Sequence, residues 1–138
     1  MKIQVVNRMT IENTKFTIPD RHVLISVTDP GDKANIPDRP TCQGILRLEF
    51  NDTYRYGRPG VQRVIFSAKQ AREVLDFVDE WKGKVPLLVV HCFAGMNRSP
   101  AVAAAVSRVL GQGDEFFFKK YDPDAWVYRT ILDVAYGG

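Results

Sequence analysis

The chain has 138 residues, 45% of them hydrophobic and 25% charged, the composition of an ordinary globular protein. A chain near this length buries roughly 70% of its unfolded surface, so a core forms without a disulfide or metal staple, and collagen-like, disordered and disulfide-framework classes are excluded. With 19 Lys and Arg against 16 Asp and Glu the net charge is +3, which tolerates an anionic substrate but lacks the basic stripe of a nucleic-acid binder.

In chain order, residues 3–6 and 23–28 are β-branched apolar runs expected as strands, the second stopped by Asp29-Pro30-Gly31-Asp32. The N-terminus has no apolar signal-peptide core, and no apolar run approaches the ~20 residues of a membrane span. Pro37 and Pro40 make residues 35–40 a loop. Residues 45–50 alternate as Ile-Leu-Arg-Leu-Glu-Phe and suit a strand; residues 51–60 are a polar and aromatic loop. Ser67 with Gln70 fits a capping box. It opens a helix whose Ala68, Ala71, Leu75 and Val78 form one apolar stripe, with Gly83 as its expected stop. Residues 86–90 are apolar on both faces, as in a central buried strand. Residues 100–110 are rich in Ala and Val all round and predict a buried helix ended by Gly111. The last helix is expected over residues 124–136, with Val127, Ile131, Leu132 and Ala135 inward, Pro123 before it and Gly137 after it.

No repeat, linker or low-complexity tract interrupts the pattern, so residues 1–138 read as a single domain. Strands alternating with helices predict an α/β fold with a central, mostly parallel sheet flanked by helices. Ligands in such sheets sit beyond the carboxyl ends of the strands.

The segment at that place reads His91-Cys92-Phe93-Ala94-Gly95-Met96-Asn97-Arg98-Ser99-Pro100. A loop turning from a strand into a helix N-terminus gathers backbone N–H groups into one concavity that binds phosphate. Gly95 permits a backbone angle that a Cβ resists. Arg98 can grip two phosphate oxygens in a fork that Lys cannot copy. Cys92 faces the same positive field, which favours the nucleophilic thiolate. Ser99 is placed to cap the helix and to hydrogen-bond the Cys92 sulfur.

This Cys-x5-Arg loop resembles the signature of the cysteine-dependent protein tyrosine phosphatases; its Ala94-Gly95 and Arg98-Ser99-Pro100 most resemble small dual-specificity-like members of bacterial or viral type. The resemblance implies a metal-independent phosphomonoester hydrolase with a cysteinyl-phosphate intermediate and no cofactor. It makes Cys92 the nucleophile, Arg98 the phosphate clamp and Phe93, Ala94, Gly95, Met96, Asn97 and Arg98 the phosphate cradle. Ser99 would help the sulfur leave, and His91 would help set the thiol pKa from behind the loop, mainly as a support for it. A general acid is also implied, in the loop after the strand at residues 45–50. Asp52 is the choice, with Asp29 or Asp32 in reserve and Glu49 a weaker candidate. The implied partner is a phosphorylated protein or another phosphomonoester. Phe93, Met96 and Asn97 bring no positive charge, which argues against a lipid head group; an RNA 5′-phosphate stays open. A phosphate-binding module without turnover is the alternative, and a rhodanese-like sulfurtransferase fits the loop less well.

Blander readings apply elsewhere. His22 is expected exposed in a loop. Cys42 is expected to be an inert thiol, with a disulfide to Cys92 as the other option. With no export signal the chain is expected in a reducing cytoplasm. Phe116, Phe117 and Phe118 read as helix-to-helix packing, and Trp81 and Trp126 as core or edge packing. Tyr54, Arg55, Tyr56 and Arg58 are either a substrate-facing rim or a solvated loop.

Overall fold

The computed structural model describes residues 1–53 and 63–137. Its strands are β1 (Lys2–Asn7), β2 (His22–Thr28), β3 (Cys42–Glu49) and β4 (Leu87–Cys92). Its helices are α1 (Arg8–Glu12), α2 (Ala68–Trp81), α3 (Arg98–Val109), α4 (Glu115–Lys120) and α5 (Ala125–Tyr136). The sheet order is β1-β4-β2-β3, and every pairing is parallel. This is the expected α/β class. Only β4 and β2 are inner strands, and both are buried along their whole length; the edge strands alternate in exposure.

Side chains alternate across a strand with period two, so the sheet has two differently built faces. Val23, Ile25, Val27, Leu48, Leu88 and Val90 pack under α2, α3 and α5 in the main core. Leu24, Leu87 and Val89 face the other way, against Val6, Ile11 and Ile18. Among the described residues, no long helix covers that second face. It is closed by α1 and by the loop between β2 and β3, which Arg39 staples through the carbonyls of Ile11, Asn13 and Phe16 at 3.0, 3.1 and 3.1 Å. The helices are therefore less evenly shared between the faces than the pattern of the sequence implies.

Local chemistry sets most boundaries. Ser67 and Gln70 form the capping box of α2, but that helix ends at Lys82 in right-handed geometry, so Gly83 is not its stop. Gly111 and Gly137, at φ 76° and 70°, supply the left-handed residues after α3 and α5. β3 starts earlier than expected, at Cys42, and the indole of Trp81 lies on Gly44, where a Cβ would stand 3.2 Å from it. α4 is short, and of its three phenylalanines only Phe117 is buried. Trp126 packs at the edge, half exposed, with Nε1–H donating to the Phe66 carbonyl at 2.8 Å.

His22 corrects an expectation. It opens the inner strand β2 and is 1% exposed, with Nδ1–H donating to the Asp20 carbonyl at 2.9 Å. A disulfide between the two cysteines is also ruled out by register. Cys42 and Leu87 both lie level with His22. Cys92 is at the far end of β4, about 16 Å further on at ~3.3 Å per residue, beyond the about 7 Å that a bridge spans. Burial pushes the Cys42 thiol up, which fits an inert group.

Candidate active site

β4 runs two residues past its apolar stretch and carries His91 and Cys92 beside Val6 and Asn7 of β1. Alternation then separates the two side chains. Cys92 joins the helix-side core, while His91 lies on the opposite face against Ser26. Cys92 is 2% exposed, and its sulfur sits 3.0 Å from the Ser99 hydroxyl. Gly95 turns the loop at φ 69°, and a Cβ there would meet the Val6 carbonyl oxygen at 3.2 Å and the Asn7 nitrogen at 3.3 Å. Glycine is thus required for both the angle and the close approach to β1. Ser99 does not cap α3. The capping position is Asn97, without a side-chain bond, and Ser99 is already helical. Its hydroxyl is directed to the sulfur instead.

Arg98 is buried at 5% exposure. Its Nη1 donates to Asp29 Oδ1 and to the Phe50 carbonyl, each at 2.8 Å. This ties the first helical residue of α3 to the carboxyl ends of β2 and β3. The reserve carboxylates have partners of their own. Asp29 is engaged by Arg98. Asp32 is engaged by Arg8, at 2.8 and 3.2 Å, and its carboxylate holds the Arg8 guanidinium above the ordinary arginine value. Glu49 accepts from the Gly31 N–H at 3.2 Å and faces a separate polar cavity with Lys33, Arg47 and Gln70. Asp52, at 7% exposure, lines one small cleft with Cys92, Phe93, Ala94, Asn97 and Arg98. Its carbonyl accepts from Arg63 Nη2 at 2.7 Å. Met96 is exposed beside this cleft rather than lining it. Tyr54, Arg55, Tyr56 and Arg58 lie outside the described residues.

His91 supports the loop from the other face of the sheet. Its Nε2 is 2.6 Å from the Ser26 hydroxyl, and its Nδ1 is 3.4 Å from the Cys92 carbonyl. Burial pushes the imidazole down to about 4, with Arg8 and Arg47 adding to the effect and the Cys92 carbonyl opposing it. The ring is therefore neutral at pH 7. A carbonyl only accepts, so Nδ1 carries the proton and Ser26 donates to Nε2.

Sequence reasoning missed the partners of this loop. Ser26 reads there as one more strand residue, Asp29 as a turn and a reserve acid but not as the partner of Arg98, and Asp124 as an ordinary helix start. Their roles depend on contacts 65, 69 and 71 residues away, which no local pattern signals. Among the described residues, no group of three or more His, Cys, Asp or Glu side chains is placed to hold a metal ion, and no helix is long and apolar enough to cross a membrane.

No family model matches this chain, and no curated protein matches it. Solved structures do match. A mouse putative dual specificity phosphatase, solved with zinc tungstate, superposes with TM-score 0.64 at 14% identity, over 98% of this chain and 82% of that one. Human DUSP28 gives 0.62 at 12% identity over 98% and 92%. A human tyrosine phosphatase-like serine/threonine/tyrosine-interacting protein gives 0.61 at 16% identity over 95% and 89%. At these identities the likeness establishes the fold, which is that of the small dual-specificity phosphatases; activity has to be argued from the site.

Proposed function

We propose that the chain is a metal-independent phosphomonoester hydrolase working through a cysteinyl-phosphate, with protein phosphotyrosine and phosphoserine or phosphothreonine as the substrate class. One observation carries this reading: the Cys92 sulfur, hydrogen-bonded to Ser99 at 3.0 Å, shares a single cleft with Arg98 and Asp52. Among the described residues, both bonds that hold Arg98 use Nη1, and Nε and Nη2 are the atoms that would fork two phosphate oxygens.

In the first step the Cys92 thiolate attacks phosphorus, the S–P bond forms and the P–O ester bond breaks. The Asp52 carboxylic acid gives its proton to the leaving oxygen, and the alcohol or phenol departs. In the second step the Asp52 carboxylate takes a proton from water as the water oxygen attacks phosphorus. The S–P bond breaks, the Ser99 hydroxyl donates to the departing sulfur, and inorganic phosphate leaves. The two free thiols fit a reducing compartment such as the cytoplasm.

The test is hydrolysis of an aryl phosphate in EDTA by the wild type and by Cys92→Ser. Turnover that survives EDTA and disappears in the variant supports the reading; dependence on added metal refutes it. A panel of phosphopeptides, phosphoinositides and 5′-phosphorylated RNA then ranks the substrates. A second reading is a phosphate-binding module without turnover, on the fold shared with the human phosphatase-like interacting protein. Phosphopeptide binding with no hydrolysis by intact wild type would select it.

A further inference from the structure

Asp124 precedes α5 and, from the sequence alone, would do no more than cap it. Its side chain is fully buried, at 0% exposure. One carboxylate oxygen, Oδ1, accepts from the N–H groups of Trp126 and Val127 at 3.0 and 3.3 Å. The other, Oδ2, faces away from α5 and accepts from the Thr53 N–H at 3.1 Å. The backbone N–H of Asp124 donates to the Asn97 carbonyl at 3.0 Å. A single residue therefore touches the start of α5, the loop that carries Asp52 and the loop that carries Cys92 and Arg98.

The neighbouring bonds divide the work. Asn51 pairs with Val64 at 2.7 Å through the backbone and at 2.8 Å through its side chain, and Arg63 reaches the Asp52 carbonyl at 2.7 Å. These tie the Asp52 loop to the chain that follows it. None of these three bonds reaches the loop of Cys92. On the other side, the Asp122 N–H meets the Met96 carbonyl at 3.0 Å and Asn97 Nδ2 meets the Asp122 carbonyl at 2.7 Å. These fasten the approach to α5 onto the phosphate loop. The bond from Asp124 to Thr53 joins the two halves beyond Phe50, whose carbonyl Arg98 already holds at the start of the Asp52 loop.

We infer that Asp124 is a positioning residue for the proposed reaction, holding the Asp52 carboxyl at its working place over Cys92 through the Thr53 N–H and the Asn97 carbonyl. The inference rests on the phosphatase reading above, with Asp52 as the acid. A helix cap by itself needs one oxygen, which serine supplies as well as aspartate. Here both oxygens of a buried carboxylate are used, in opposite directions, as full burial demands.

Asp124→Ser and Asp124→Asn separate the two functions. Serine keeps a capping oxygen but does not reach Thr53. Asparagine turned to satisfy the two helix N–H groups presents its NH2 to the Thr53 N–H, donor against donor. Both variants are compared with wild type on phenyl phosphate, whose leaving group needs a proton, and on a fluorinated umbelliferyl phosphate, whose leaving anion does not. A displaced acid should lower kcat on phenyl phosphate by about 10²-fold while the activated ester stays within about threefold. The split between the two esters should match that of Asp52→Ala, and alkylation of Cys92 by iodoacetate should keep its wild-type rate. Equal losses on both esters, or no loss on either, would overturn the inference and leave Asp124 a cap. If wild type hydrolyses neither ester, the phosphatase reading falls first and the inference with it. Thermal melts identify a variant that fails to fold, and the other variant then decides.

Discussion

Acidifying the protein should unfold it partly through His91. The ring is fully buried, and burial holds it at about 4 instead of the ordinary 6.5. The folded value lies below the unfolded one, so between those limits the unfolded chain binds the extra proton. The stabilisation is complete above about pH 6.5 and is lost progressively as the pH falls toward about 4. At 1.36 kcal/mol for each factor of ten, that interval corresponds to about 3 kcal/mol, a large share of the 5–15 kcal/mol typical of a domain. The assay is urea unfolding from pH 7.5 to pH 4, for wild type and for His91→Gln, which retains an oxygen able to accept from Ser26. Carboxylates other than Glu12, which is coupled to His91, contribute equally to both proteins, so the difference in slope reports the imidazole together with that coupling. Glu12, held low mainly by the Asn35 N–H, acts at the bottom of the window in both. Wild type should lose about 3 kcal/mol more than the variant across this range. Parallel curves, or a wild type that gains stability on acidification, would refute a neutral, desolvated His91.

Two further outcomes follow from the site. Asp52→Ala should slow hydrolysis of esters with alkyl or phenolic leaving groups by roughly 10²–10⁴ and spare a highly activated aryl ester, measured as kcat on a leaving-group series; equal rates on all esters would move the acid elsewhere. Gly95→Ala should cost about 1–2 kcal/mol from left-handed backbone alone. It should also lower phosphate affinity, because the new methyl group meets Val6 and Asn7 of β1; unfolding curves and phosphate titration of the purified variant check both.

Much of the fold is legible in local chemistry. The capping box at Ser67, the apolar stretch at residues 86–90 and the left-handed Gly111 and Gly137 each act within a few residues, so their consequences can be read from neighbours. Arg8–Glu12 escaped notice because a one-turn helix has no periodicity to detect. His22 was misplaced because a polar residue after Asp20-Arg21 reads as loop, whereas sheet register buries it between β3 and β4.

The order of residues in the chain alone settles the chemical inventory: a thiol, a flexible turn at Gly95 and a guanidinium, strung between an apolar strand and a buried helix. It does so because a strand-to-helix loop is a local structure whose components are consecutive. What only the folded molecule decides is who serves them. Asp29 grips Arg98, Ser26 orients His91, and Asp124 joins the loops of Asp52 and Cys92. Those partners come together because parallel strands and packed helices bring their ends to one edge of the sheet, and such long-range pairing leaves no periodic trace along the chain.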